Sequence, residues 1–224
     1  MKVFFTNLGC KLNQAEVDAL SRRFLAAGHE LAPALDAADL HVVNSCTVTH
    51  LAARDSRKVA RRGHRLRSTM RTVLTGCYAT DSPEEAARLA GVDLVVPNAD
   101  KDHLLERVHG AFPEVVPTGR DHGEGLPIPY VPLDFGHARA MVKVEDGCNM
   151  KCSFCIIPST RGRQRSRPVD AVIEEVRALG RGGYREVVIT GVQISHYRDE
   201  DRGLYDLTKA LLDRTDVPRL RLTS

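Results

Sequence analysis

Residues 147–155 read GCNMKCSFC, which sets Cys148, Cys152 and Cys155 in a C-x3-C-x2-C triplet on one short stretch. Three thiolates so close together make a soft metal site. A structural zinc takes four ligands in a closed tetrahedron, usually from two separated pairs. A [4Fe-4S] cube held by three cysteines instead leaves one iron open to a ligand from outside the protein. The missing fourth cysteine therefore favours the cube over a zinc knuckle. Just upstream, Ala140 to Glu145 carries an alternating Met141, Val142, Lys143, Val144 pattern that predicts a strand delivering the triplet at its carboxyl end. Catalytic groups sit at that end of the strands in β/α barrels.

Downstream, Arg161, Arg163, Arg165 and Arg167 form a basic cluster suited either to phosphate or to bracing the loop. Pro168 then suits the first turn of a helix whose apolar stripe is Val169, Val172, Ile173, Val176 and Leu179, closed by Gly180. Glu186 to Thr190 reads as the next strand, Leu204 to Leu212 as a helix and Arg219 to Thr223 as a further strand. At roughly 30 residues per unit, 139–224 holds about three β/α units, an incomplete barrel. Such a sheet ends on an unpaired edge, so another chain completing the barrel is a candidate partner. Upstream, prolines at 113, 117, 127, 129 and 132 mark 113–138 as a linker.

The amino-terminal stretch, 1–112, alternates strand and helix patterns, which predicts an open parallel α/β sheet. Lys2 to Thr6, Leu40 to Asn44 and Thr72 to Thr75 read as strands, with Val92 to Val96 as a weaker fourth. Asn13 is the expected N-cap of the first helix, whose apolar face is Val17, Leu20, Phe24 and Ala27 and which Gly28 ends. Leu51 to Arg67 reads as one helix and Asp100 to Val108 as another. Cys10, Cys46 and Cys77, spaced 36 and 31 residues apart, each fall just past the carboxyl end of a strand. Ligands of open α/β sheets bind along that edge, so the three thiols could meet there. The alternative is three separate buried cysteines acting as small apolar side chains.

At 224 residues, 42% hydrophobic and 27% charged, the chain has the composition of a globular protein with one large or two modest domains. No run approaches the roughly 20 apolar residues of a membrane span, and the first ten residues lack the apolar core of a signal peptide. A cytoplasmic location is expected, where six cysteines are better read as metal ligands than as disulfides. The net charge is only +3 but uneven. Arg54, Arg57, Lys58, Arg61, Arg62 and Arg65 would share one face of a continuous helix, a candidate nucleic-acid surface as well as an ordinary solvated one. The nine histidines show no triad or metal spacing, and no catalytic acid or base is singled out.

The triplet resembles the signature of the radical S-adenosylmethionine (SAM) enzymes, with Phe154 as the aromatic residue before the last cysteine. In that superfamily SAM chelates the open iron and yields a 5′-deoxyadenosyl radical. LGCKLNQAE at 8–16, NSCTVT at 44–49 and TGC at 75–77 are similar to the amino-terminal domain of the methylthiotransferases. That resemblance implies an auxiliary cluster on Cys10, Cys46 and Cys77 beside the radical SAM cluster on Cys148, Cys152 and Cys155. It thus implies two [4Fe-4S] clusters, SAM and an external electron donor. Thr190, Gly191 and Gln193, after the second strand of the radical SAM domain, are implied SAM contacts. The GCKxNQxE form resembles the branch that modifies C2 of N6-threonylcarbamoyladenosine at position 37, in the anticodon loop of tRNA. Isopentenyladenosine in tRNA and an aspartate on a ribosomal protein are the other substrates of the family. A chain holding about half of the family's length is also compatible with an inactive metal- or RNA-binding module.

Overall fold

The computed structural model describes residues 1–117 and 139–224, which fall into two compact units. The segment read as a linker lies mostly outside the described residues. Pro113–Val115 forms one 3-10 turn, and Val115 packs on the core of the first unit.

The first unit contains β1 (Lys2–Asn7), α1 (Lys11–Ala26), β2 (Glu30–Leu31), β3 (Leu40–Ser45), α2 (His50–Ala60), α3 (Arg62–Leu66), β4 (Arg71–Gly76), α4 (Cys77–Asp81), α5 (Pro83–Ala87), β5 (Leu94–Val96) and α6 (Leu104–Ala111). The five strands are all parallel, in the order β2-β1-β3-β4-β5. Every residue of β3 is buried, as a central parallel strand covered on both faces requires. Side chains alternate between two cores. Leu40, Val42 and Val73 point to the layer built with Leu20 and Phe24 of α1 and Leu104 and Val108 of α6. Val43 and Leu74 point to the other layer, with Ala60, Tyr78, Ala79 and Ala86 from α2, α4 and α5. Each fully buried Leu, Val or Phe contributes about 1.5–3 kcal/mol.

Two expectations change here. Helix α1 starts at Lys11, with Cys10 in extended conformation as its N-cap and no side chain capping it. Asn13 lies inside the first turn, buried, and its Nδ2 donates to the carbonyls of Leu8 (2.6 Å) and Ser45 (3.2 Å). A link to the neighbouring strand has displaced the local cap. The single helix expected over 51–67 is two, broken at Arg61. Gly63 lets α3 lie almost on the sheet, because a Cβ there would sit 2.9 Å from Met70 Sδ and 3.2 Å from His41 Nδ1.

The second unit contains β6 (Ala140–Lys143), β7 (Glu145–Asp146), α7 (Ile157–Arg161), β8 (Arg165–Ser166), α8 (Val169–Arg181), β9 (Glu186–Thr190), β10 (Arg198–Asp199), β11 (Arg202–Gly203), α9 (Leu204–Arg214) and β12 (Arg219–Thr223). Strands β6, β9 and β12 lie side by side and parallel, each joined to the next through a helix. All five residues of the α8 stripe are buried against Val142, Val187, Ile189 and Leu211. The helix runs to Arg181, one residue past the expected stop. The strand expected over 140–145 splits after Lys143, where Glu145 and Asp146 turn away to pair antiparallel with Ser166 and Arg165. Among the described residues this parallel sheet has three strands, so the barrel is incomplete, and β12 forms one edge with Leu222 exposed. No described helix is long and apolar enough to cross a membrane.

Candidate metal centres

Cys10, Cys46 and Cys77 follow β1, β3 and β4, three adjacent strands in which Asn7 faces Asn44 and Ser45 faces Gly76. The strand order reverses between β1 and β3, and such a switch point opens a crevice at the carboxyl edge of the sheet. Two glycines let the chain close in there. A Cβ on Gly9 (φ +104°) would lie 2.8 Å from Cys46 Cβ and 2.9 Å from its Sγ. One on Gly76 (φ +96°) would lie 2.4 Å from the Ser45 carbonyl oxygen.

The backbone around Cys46 is fixed by Ser56, whose hydroxyl donates to the Cys46 carbonyl (2.8 Å) and accepts from its N–H (3.1 Å). Cys46 and Cys77 are buried and Cys10 is exposed. Burial pushes the Cys46 thiol above its usual range, and Cys77 and Cys10 add to the rise by repulsion while the Val48 N–H opposes it. Among the described residues, no three His, Cys, Asp or Glu side chains are gathered as around one metal ion. A single zinc with Zn–S bonds of about 2.3 Å draws its sulfurs to about 3.8 Å of one another, whereas a cube takes each thiolate on a separate corner. An all-thiolate set of three, one donor short of a closed zinc site, fits the larger group.

Behind the trio lies a buried network that the sequence did not disclose. Lys101 Nζ is 2.6 Å from Glu16 Oε2 and 3.0 Å from Asn44 Oδ1, with the lysine and glutamate side chains 5% and 3% exposed. Asn44 Nδ2 in turn donates to Glu16 Oε2 (3.2 Å) and to the Asn13 carbonyl (3.0 Å). These bonds tie the 3-10 turn Asn98–His103 to α1 and β3, the elements beside Cys10 and Cys46. From the same turn, Asn98 Nδ2 reaches Cys77 Sγ at 3.7 Å. The GCKxNQxE pattern contains Asn13 and Glu16, but nothing in their spacing points to Lys101.

The second trio lies on the loop between β7 and α7, with Cys152 and Cys155 exposed and Cys148 half-buried. Its base is rigid. Gly147 has φ +73°, and a Cβ there would meet the Arg163 carbonyl oxygen at 2.2 Å. The Cys148 N–H donates to the Gly162 carbonyl (3.1 Å), and the Gln164 N–H donates to Asn149 Oδ1 (3.1 Å). Asp146, buried, accepts from the Gly147 N–H (2.8 Å) and pairs with Arg161 (3.1 Å), Lys143 (2.9 Å) and Arg165 (3.6 Å). Further along, the Met150 N–H points at Cys148 Sγ (3.4 Å) and the Cys155 N–H at the Cys152 carbonyl (3.1 Å). Three thiols on an anchored loop, two exposed and one half-buried, with no other donor type among them, fit an iron-sulfur cube with an open corner.

Of the four arginines after this loop, Arg161 is buried against Asp146, and Arg167 donates to the Lys143 carbonyl (3.0 Å) and pairs with Glu175 (2.6 Å). These two brace the loop, while Arg163 is exposed. Phe154 is 91% exposed. Thr190 is buried at the end of β9, and its carbonyl accepts the Val144 N–H (2.9 Å), which sets Gly191 and Gln193 beside the β6–β7 bend. There Glu145 Oε2 accepts the Gln193 N–H (2.8 Å), and a Cβ on Gly191 would stand 2.6 Å from that oxygen. Burial raises the Glu145 carboxyl pKa, partly offset by the Gln193 N–H.

The six cations of 54–65 do not share one helix. Arg54, Arg57 and Lys58 lie on α2, Arg61 at the break, and Arg62 and Arg65 on α3. Arg57 is drawn inward, over the Tyr78 ring (5.6 Å) and towards Glu85 (3.6 Å). Arg54 pairs with Asp55 (3.5 Å), and Lys58, Arg61, Arg62 and Arg65 are exposed.

Residues 2–97 match the family described as "Uncharacterized protein family UPF0004", and residues 142–223 match the radical SAM superfamily. The chain is 37% identical over 229 residues to the threonylcarbamoyladenosine tRNA methylthiotransferase MtaB of Aquifex aeolicus, covering 100% of this chain and 56% of that protein. It is 37% identical over 231 residues to the protein of the same name from Bacillus subtilis, covering 99% and 51%. It is also 32% identical over 196 residues to the ribosomal protein uS12 methylthiotransferase RimO of Stenotrophomonas maltophilia, covering 88% and 42%. The chain therefore spans about half the length of the curated relatives it matches. Among solved structures, TsrM from Kitasatospora setae, a radical SAM methyltransferase solved with cobalamin and a [4Fe-4S] cluster, matches with a TM-score of 0.59 at 15% identity over 99% of this chain and 55% of that one, a likeness of fold. The radical SAM match implies an iron-sulfur cluster and SAM, and the matched residues include Cys148, Cys152 and Cys155. With a UPF0004 domain followed by a radical SAM domain and MtaB-like identity along its whole length, the chain belongs to the radical SAM methylthiotransferase family.

Proposed function

We propose that this chain is the part of a tRNA-modifying methylthiotransferase that carries both iron-sulfur sites, and that the whole enzyme places a methylthio group on C2 of N6-threonylcarbamoyladenosine at position 37. The observation that carries this reading is the convergence of Cys10, Cys46 and Cys77 on one edge of a single parallel sheet, in a chain that holds a second trio on its own anchored loop. In it, one [4Fe-4S] cluster is held by Cys10, Cys46 and Cys77 and the other by Cys148, Cys152 and Cys155. The bound clusters and SAM supply radical formation and sulfur transfer.

The chain's own residues orient and exclude. Glu145 holds the backbone of Gln193, so Thr190, Gly191 and Gln193 offer a fixed wall to SAM, with Phe154 on the cysteine loop. Lys58, Arg61, Arg62 and Arg65, with Arg54 and Arg57 beside them, give tRNA phosphates a sequence-independent, salt-sensitive surface. The whole enzyme has domains over 1–112 and 139–224 joined through 113–138, takes electrons from an external donor, works in the cytoplasm and has further polypeptide completing the barrel.

The test is mass spectrometry of tRNA nucleosides from a host lacking the modification, complemented with the whole enzyme or its Cys10→Ala variant. Methylthio-threonylcarbamoyladenosine with the first and not the second is expected. The methylthio group on isopentenyladenosine or on ribosomal protein instead would overturn the substrate assignment.

A further inference from the structure

We propose that Asn98 is a positioning residue for the amino-terminal trio, its side-chain amide donating to the Cys77 sulfur and so favouring the reduced state of the iron-sulfur group held there. This rests on the cluster proposed at Cys10, Cys46 and Cys77. Asn98 Nδ2 lies 3.7 Å from Cys77 Sγ, and the two residues are 7% and 2% exposed, so water has little access to this sulfur.

The amide is held in place from both sides. Its own backbone N–H donates to Thr80 Oγ1 (2.8 Å), and that hydroxyl donates to the Gly76 carbonyl (2.9 Å), immediately before Cys77. Three residues on, in the same 3-10 turn, Lys101 is locked to Glu16 (2.6 Å) and Asn44 (3.0 Å). The turn after β5 is thus pinned to the elements that carry all three cysteines, and it presents one neutral N–H to one ligand sulfur.

A buried thiolate ligand gains most from a fixed donor when its negative charge is greatest, which is after the cluster takes an electron. Hydrogen bonds to the sulfurs are among the factors that set the potential of such clusters. Removing this donor therefore lowers the potential without removing a ligand.

The experiment uses the full chain with Cys148, Cys152 and Cys155 changed to Ala, reconstituted anaerobically with iron and sulfide and titrated electrochemically with EPR detection. Asn98→Leu keeps the side-chain volume and removes the donor. Asn98→Asp keeps the shape and sets a carboxylate against the sulfur, which secures the test should the Leu variant fail to fold. Unchanged iron per chain and a reduction equilibrium about tenfold less favourable are expected, about 59 mV for one electron, with Asp shifted at least as far as Leu. A reduction equilibrium within twofold of the parent at full iron content would overturn the proposal, as would a folded variant that loses its iron. If the parent itself takes up no iron, the cluster reading fails, an outcome distinct from full loading with no shift.

Discussion

Changing Lys101 to Met removes the positive member of a pair whose charged atoms are 2.6 Å apart and whose side chains are almost wholly out of water. The Glu16 carboxylate then remains buried opposite a thioether, and breaking a buried pair from one side costs about 3–5 kcal/mol. Against a typical domain stability of about 5–15 kcal/mol that is a large fraction. Because each 1.36 kcal/mol is tenfold, amides of β3 and α1 that exchange only on unfolding of this unit should exchange roughly 10²–10⁴ times faster. Hydrogen exchange read by mass spectrometry resolves those peptides separately from the second unit. The double change Glu16→Leu with Lys101→Met removes both charges and leaves mainly Asn44 short of partners, a cost of about 1–3 kcal/mol. It should protect β3 better than Lys101→Met alone. A single variant that loses less than about 1 kcal/mol, or a double variant worse than either single, would refute the claim that this pair locks the turn to the sheet.

Gly76→Ala forces a Cβ against the Ser45 carbonyl at a φ of +96° and should cost at least about 1–3 kcal/mol, seen as a lower thermal midpoint and reduced iron uptake at the first trio. Burial, with Arg62 as a smaller cause, lowers the His41 pKa from 6.5 to about 4. A folded value below the unfolded one means that this stability is whole above pH 6.5 and lost as pH falls to 4, about 3 kcal/mol in all. Urea unfolding of the wild type should show that slope and His41→Val should flatten it, while equal slopes would discount His41. Glu145→Ala releases the Gln193 N–H and should weaken SAM binding about tenfold by equilibrium dialysis at unchanged iron content, and unaltered binding would remove Glu145 from that role.

Much of the fold is written in local patterns. The α8 stripe is visible because period 3.6 and burial coincide at all five positions, and β3 because its apolar run is bounded by polar turns. The order β2-β1-β3-β4-β5 is not local, and the two-residue strand β2 is too short to show in sequence. Asn13 looks like a cap because Asn at a helix start usually is one, yet its amide bonds across to the Ser45 carbonyl. The break at Arg61 and the close approach of Gly63 to Met70 just after it have no signal in the charge pattern. The cysteines could be grouped by their place after strands, but Lys101 and Asn98 could not, since their partners lie 85 and 21 residues away.

The most direct measurement of the central claim is iron and acid-labile sulfide per chain after anaerobic reconstitution of three proteins: the wild type, the variant with Cys10, Cys46 and Cys77 changed to Ala, and the variant with Cys148, Cys152 and Cys155 changed to Ala. Two cubes predict about eight irons in the first and about four in each of the others. About four irons in the wild type, undiminished when Cys10, Cys46 and Cys77 are lost, would contradict it.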